Sequence, residues 1–333
     1  MTVLTNTTQT FDITTAGGMR EDLSDVIFDL FPEDTYCLSN FDREEASSTY
    51  TEWLAQELAS PAANIQVEGD DATFAAVAAP ARYGSFLQIS SKTFAVSDTL
   101  EAVNKAGRRS EVARGAIVKM RELKRDMETR ICQNGISTTG GAATGRSTAG
   151  IEAWLGDATS SATVASNLVL ATTSSSASTA PVTSGTAGTA PVDGTTTGAF
   201  TSAVLNLALQ GAWQEGGDAS VILLTAKQKA LLDAFTSVAT RFVDVAKGAQ
   251  ASITGASNVY VSDFGTHKVV LNRYGRDSVV LCLDPSFWAV RYLRKPAKRD
   301  LARTGDAVKY QIITEWALVA RNWKASAKVV ACT

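Results

Sequence analysis

The chain has a single histidine, His267, so general acid–base chemistry at neutral pH would have to rest on it or on a displaced carboxylate. It stands in Phe264-Gly265-Thr266-His267-Lys268, where no serine, cysteine or carboxylate occupies a recognised nucleophile context. A turn or strand-edge histidine fits better than a catalytic base, and one histidine excludes metal sites built from several. Glu68, Asp70 and Asp71 supply oxygen ligands, but they lack the full spacing of a calcium loop and read as a solvated turn. The glycine-rich run from Gly140 to Ser147 has no lysine to reach a phosphate and no strand leading into it. Dinucleotide binding fails on the same ground. No catalytic, cofactor-binding or metal-binding residue is therefore expected, and no cofactor.

Cys37, Cys132, Cys282 and Cys332 are widely scattered and form no CxxC pair. They suggest neither a zinc framework nor a disulfide pattern, and read as thiols in a reducing cytoplasm. Basic residues gather at Arg291, Arg294, Lys295, Lys298, Arg299 and Arg303, interleaved with Tyr292 and Leu293. Contact with acidic groups of another subunit is the favoured reading; phosphate contact and ordinary solvated charge remain open.

These residues must be held by elements of very unequal character. Apolar residues at spacings of three and four (Val112, Ala113, Ala116, Ile117, Met120, Leu123, Met127, Ile131) define one face of a helix from about Arg108 to Cys132. Arg109, Arg121, Lys124, Arg125 and Glu128 line much of the rest, and Asn134-Gly135 is expected to close it. About 25 residues at 1.5 Å each make a strut of roughly 37 Å. Gly115 and Arg130 interrupt the seam that a coiled coil would need.

Around that strut lie segments that cannot pack alone. Residues 1 to about 19 are polar and threonine-rich; a short amphipathic helix (Leu23, Val26, Ile27, Leu30, Phe31) then ends at Pro32. Residues 46–96 alternate in pieces, as in Tyr50–Leu54, Phe86–Ser90 and Thr93–Val96, around a run of small residues too poor in large apolar groups to make a core. An arm laid onto another subunit would explain that composition, as would a surface insertion. Residues 137–150 and 171–198 are nearly all small or polar, and Ile151, Trp154 and Leu155 form a short element between them, a turn anchored by a buried indole.

From Phe200 an α/β pattern resumes. Val204 to Trp213 suits a helix, Val221–Leu224 a strand, and Thr225 caps a further helix through Phe235. Strands are expected at 258–261, 268–271, 278–283, 288–293, 308–313 and 315–319, the last of them returning onto the long helix.

Composition bounds what this can be. With 45% hydrophobic and 20% charged residues in 333, a sizeable core is possible and global disorder is not expected. A net charge of -3 argues against a dedicated nucleic-acid binder and keeps repulsion between identical copies mild. No stretch of about 18 uninterrupted apolar residues suggests a membrane span, and no secretory signal is visible at the start.

Several segments, in order along most of the chain, resemble a group of major capsid proteins from tailed bacteriophages. They include Leu30-Phe31-Pro32-Glu33-Asp34-Thr35, Tyr50-Thr51-Glu52-Trp53-Leu54, Glu101 to Arg108, Glu122 to Glu128 and Gly150 to Leu155. Val261 to Val270, Asn272-Arg273-Tyr274, Leu301 to Asp306 and Glu315 to Leu318 continue the series. The resemblance implies the Hong Kong 97-like capsid fold of the α+β class. It implies an N-terminal arm at 1–43, an extended loop at 44–96 and a peripheral domain with the spine helix at 97–149. An axial domain at 150–285 and peripheral return strands at 286–333 complete that plan.

The implied function is geometric: hexamers and pentamers close an icosahedral shell around double-stranded DNA, which they touch weakly and without specificity. Scaffolding, portal and decoration proteins are the implied partners, with assembly in the host cytoplasm, no membrane, and residence in the virion. The scaffold is expected as a separate protein and closure as non-covalent. Trp53 and Phe86 are expected to seat the extended loop, and Arg82 and Lys92 to pair with acidic groups next door. Glu122, Arg125 and Glu128 are expected to hold the spine helix in register. The rivals are a bacterial compartment shell protein of the same fold and, further off, a soluble α/β enzyme.

Overall fold

Two sheets share one wall of tryptophans, and the long helix lies across the first of them. The computed structural model describes residues 34–56, 58–59, 61–71, 74–103, 107, 109–155, 168–170, 198–235, 258–303 and 305–332. The expected amphipathic helix at 23–31 and nearly all of the 171–198 tract lie outside these residues.

The first sheet runs β1 (Asp42–Glu45), β10 (Trp288–Leu301), β11 (Ala307–Ala320), β4 (Gln88–Ser97). β1 pairs parallel to β10, and the other pairs are antiparallel. The two strands expected at 308–313 and 315–319 are one strand, because the even-numbered residues Ile312, Trp316, Leu318 and Ala320 stay on one buried face throughout. β10 also runs on beyond 293, through Pro296. A proline offers no N–H to a ladder, and the register shifts on either side of Arg294, as at a bulge.

The second sheet runs β5 (Leu168–Leu170), β12 (Ala327–Val330), β9 (Val280–Leu283), β6 (Val221–Leu224), β8 (Gly265–Leu271), β7 (Val259–Ser262). Its central strands are buried on both faces, which accounts for their unbroken apolar runs. Val221, Leu223, Leu281 and Leu283 face the tryptophan core with Trp154, Trp288, Trp316 and Trp323. Ile222, Leu224, Val280 and Cys282 face a second core under helix α5 (Ser202–Gln214). Helix α6 (Ala226–Asp233) follows β6, but Thr225 at its N-cap makes no side-chain capping bond; its hydroxyl is buried without a partner among the described residues.

The long helix, α3, covers Glu111–Cys132, with Ser110 as N-cap accepting the Ala113 N–H at 3.2 Å. Only its second half is buried, through Leu123, Met127, Glu128, Ile131 and Cys132; Ile117, on the expected apolar face, is 54% exposed. Gly115 serves a close approach: a Cβ there would stand 2.8 Å from the ring of Phe94 in β4. The helix does not close through a left-handed Asn134-Gly135. Gln133 turns extended, and the Arg130 guanidinium donates to the carbonyls of Ile136 at 2.8 Å and Thr148 at 2.7 Å. Those bonds fasten residues 133–150 under the helix end and lead into the short helix α4 (Ile151–Trp154). There Gly150 packs so tightly on the Gln133 carbonyl that a side chain has no room.

Two short helices flank the strut. Helix α1 (Tyr36–Asn40) packs on it, and α2 (Asp98–Ala102) joins β4 to it. The remaining pair, β2 (Tyr50–Ala55) and β3 (Ala81–Phe86), forms a separate two-stranded ribbon with Tyr50 opposite Phe86 and Ala55 opposite Ala81. The chain between them has no regular structure among its described residues. Its apolar side chains are bare: Leu58, Ile65, Phe74 and Val77 each stand almost wholly in solvent.

Candidate assembly surface

The ribbon packs on the body of the chain from Thr51 to Ala55 on one strand and from Tyr83 to Phe86 on the other. Trp53 lays its ring 5.2 Å from that of buried Trp154, and Tyr83 meets Trp323 edge-on at 4.4 Å. Phe86 packs at 4.4 Å on Tyr50 rather than into the core, while its N–H donates to Ser137 Oγ at 2.8 Å. Ser85 and Thr148, both buried, exchange a hydroxyl contact at 3.2 Å beside it. Aromatic contacts of Trp53 and Tyr83 and hydroxyl contacts beside Ser85 and Phe86 thus join the ribbon to the body of the chain.

The charged residues singled out by sequence are placed as follows. Arg82 lies 3.8 Å from Glu52 across the ribbon, a loose and largely solvated pair. Lys92 reaches Asp126 at 2.6 Å and ties β4 to the long helix of its own chain. Glu122 accepts from Lys119 at 2.8 Å along the helix. Arg125 is half-buried, with Nε lacking a hydrogen-bond partner among the described residues.

Glu128 requires a correction. Its spacing puts it on the polar side of the helix, yet it is fully buried, because residues 127, 128, 131 and 132 together face α1. Its carboxylate accepts the backbone N–H groups of Cys37 at 2.8 Å and Leu38 at 3.0 Å. Burial pushes its carboxyl above the ordinary range, against the pull of those N–H groups and of the thiols of Cys37 and Cys132.

The basic cluster on β10 is engaged largely within the chain. Arg291 Nε donates to Glu44 at 2.8 Å, Lys295 pairs with Glu45 at 2.7 Å and Arg303 with Asp98 at 2.9 Å. Lys298 stands 4.1 Å over the ring of Tyr310. Arg294 and Arg146 converge on Glu315, which is almost fully buried; the Arg294 bond measures 2.9 Å. Sequence spacing could not show these pairs, since the partners lie as far apart as 250 positions.

His267 is buried in β8. Its Nε2 lies 2.7 Å from Ser262 Oγ and its Nδ1 2.6 Å from the carbonyl of Ala219. A serine therefore does stand beside it, across the β7–β8 turn. That hydroxyl also accepts the Phe264 N–H at 3.1 Å, so the pair closes the turn. Glu68, Asp70 and Asp71 are exposed around a turn with Gly69 at φ 83°. A second buried charge is not legible in sequence: Glu152, held by Arg276 at 3.0 Å, while its carbonyl accepts from buried Lys328 at 2.7 Å.

The arrangement ties the elements of the chain together and leaves apolar side chains bare between β2 and β3; the charged groups beside the cavity of about 520 Å³ under α1 are engaged in ion pairs, Glu44 with Arg291 and Lys295 with Glu45. This is the Hong Kong 97-like architecture of capsid proteins. The native GTA particle capsid matches it with a TM-score of 0.60 at 11% identity, over 96% of this chain and 99% of the other. Mycobacterium phage Adephagia matches with a TM-score of 0.57 at 12% identity, over 97% and 98%. The holo-SrpI encapsulin complex from Synechococcus elongatus PCC 7942 matches at 0.51 and 10% identity, over 98% and 96%. Comparison with curated protein sequences returns no match. The family model of the SU10 major capsid protein matches residues 3–333, and the chain belongs to that family. It is a structural capsid protein, not an enzyme.

Proposed function

We propose that copies of this chain assemble as hexamers and pentamers into a closed icosahedral head that encloses double-stranded DNA. The bare apolar stretch between β2 and β3 carries the reading: Leu58, Ile65, Phe74 and Val77 are exposed in the segment beyond a strand pair that Trp53, Tyr83 and Ser85 anchor to the body of the chain. Such a segment gains burial only against another molecule. An adjacent copy supplies it without a further gene product, and many identical contacts sum around a closed shell.

On this reading residues 1–43 act as the arm and 44–96 as the extended loop. Residues 97–149 with 286–333 form the peripheral domain, and 150–285 the axial domain. Trp53 and Phe86 set the loop's angle of departure. Arg82, Glu122 and Arg125 meet neighbouring copies, and Lys92 exchanges or shares Asp126 with them. Scaffolding, portal and decoration proteins complete the head, which is made in the host cytoplasm and touches its DNA weakly.

Electron microscopy of the expressed chain tests the proposal. Closed shells containing nuclease-protected DNA are expected from an infection, and shells or rings from the chain expressed with its scaffold. Particles loaded with a protein cargo and free of phage DNA would favour the compartment reading that the encapsulin fold match keeps alive. A monomer at every concentration would overturn both.

A further inference from the structure

Cys37 lies in α1 and Cys132 ends the long helix, 95 positions later, and their sulfurs are 3.6 Å apart. Both are fully buried. Disulfide sulfurs stand about 2.05 Å apart, so an approach of roughly 1.5 Å separates this pair from a bond.

Two further groups address the same sulfur. Glu128 lies one turn before Cys132, and the Cys132 thiol points at its Oε1 at 3.9 Å. Asn272 Nδ2 donates to Cys132 Sγ at 3.1 Å. The amide cannot be turned round, because Asn272 Oδ1 already accepts the Tyr274 N–H at 2.8 Å. A base, an N–H donor that stabilises a thiolate, and a second thiol in contact are the parts of a reactive dithiol.

We propose that Cys37 and Cys132 form a redox site, which hydrogen peroxide oxidises to an intrachain disulfide locking α1 to the end of the long helix. Glu128 takes the Cys132 thiol proton, and the thiolate attacks one peroxide oxygen. The O–O bond breaks, and the leaving hydroxide takes the proton back from Glu128 as water. The Cys37 sulfur then attacks the sulfenic sulfur of Cys132, and the departing hydroxide leaves with the Cys37 proton as a second water. Two thiols and one peroxide give one disulfide and two waters. Peroxide is close to water in size, which suits a site that only a local opening of the five-residue α1 exposes. The Glu128 carboxylate and the Asn272 amide both address the Cys132 sulfur, so Cys132 attacks first and Cys37 resolves.

The consequence for the particle rests on the shell reading above. The reducing host cytoplasm keeps both thiols, and release into an oxidising medium closes a covalent loop around β1 to β4 and the strut.

The test treats reduced, purified protein with hydrogen peroxide, quenches it, and counts thiols after denaturation. The count is expected to fall from four to two, with a faster band on non-reducing denaturing electrophoresis and a cross-linked peptide pair holding Cys37 and Cys132. Cys132→Ser should abolish the fast band, and Cys282→Ser should keep it. Four surviving thiols, a Cys282–Cys332 link, sulfinic acid without a cross-link, or stoichiometric zinc protecting both sulfurs would each overturn the proposal. Soluble subunit and assembled particles are assayed separately, so a chain that fails to form shells sinks the assembly reading while the dithiol is still read.

Discussion

Glu128 Oε1 accepts the backbone N–H of Cys37 at 2.8 Å, and Oε2 takes that of Leu38, so the long helix caps the short one. Thr35, at the N-cap position of α1, makes no side-chain capping bond. The orphan N–H groups of a helix start must be satisfied, and here a carboxylate from 91 positions away does it. Glu128→Gln keeps one acceptor but turns an amide N–H₂ against the Leu38 donor. A loss of about 1–3 kcal/mol is expected, read by chemical denaturation of the soluble subunit. Wild-type stability in that variant would show that the cap is dispensable.

Trp53→Ala should loosen the ribbon at its root. The ring packs on Trp154 but is partly exposed, so the cost is expected at about 2–3 kcal/mol, below that of a fully buried tryptophan. Limited proteolysis separates this from general unfolding: cleavage should speed up between residues 56 and 80 while the tryptophan core stays intact. Uniform cleavage, or none, would put the anchor elsewhere.

Acid should weaken the first sheet at its β1 edge. Burial raises the Glu44 carboxyl, but hydrogen bonds and charge from Arg321 and Arg291 outweigh it and leave it below the ordinary range. A lowered carboxyl contributes stability that is present above its unfolded value, about 4.3, and is lost as pH falls through the folded value. Glu44→Gln should therefore flatten the pH dependence of stability below about pH 4.5, by roughly 1 kcal/mol after allowing for the half-exposed Arg321. Glu128, raised by burial, has the opposite sign and weakens the fold as pH rises through its folded value. An unchanged slope in the Glu44→Gln variant would assign the acid sensitivity to other groups.

The sequence carried those parts of the fold whose physics is local. Val221–Leu224 and Val280–Leu283 read as strands because both faces are covered, and Val112 to Ile131 read as a helix by its period. What escaped was set by pairing across the chain. Glu128 looks like a surface charge because its partner is a backbone brought from residue 37. Arg294 and Lys295 look available to other subunits because Glu315 and Glu45 meet them only once β1, β10 and β11 are assembled. His267 seems solitary in sequence because Ser262 reaches it across a two-residue turn, and Cys37 and Cys132 show no motif because the contact spans two helices.

Arg125→Glu is the variant expected to separate folding from assembly. Arg125 lies half-buried on the long helix, two turns before Cys132, with Nε lacking a partner among the described residues. An unsatisfied buried guanidinium nitrogen costs stability, so the rest of the fold gains little from holding Arg125 where it is. Neighbouring Lys119 and Glu122 satisfy each other, and Lys92 holds Asp126, so reversing Arg125 breaks none of these pairs. Arg125→Glu should spare expression and leave the denaturation midpoint of the soluble subunit within about 1 kcal/mol of wild type. Shell yield, counted by electron microscopy, should fall at the same time. Normal particles at normal yield would remove Arg125 from the interface, and a collapse in soluble expression would make its role internal to the chain.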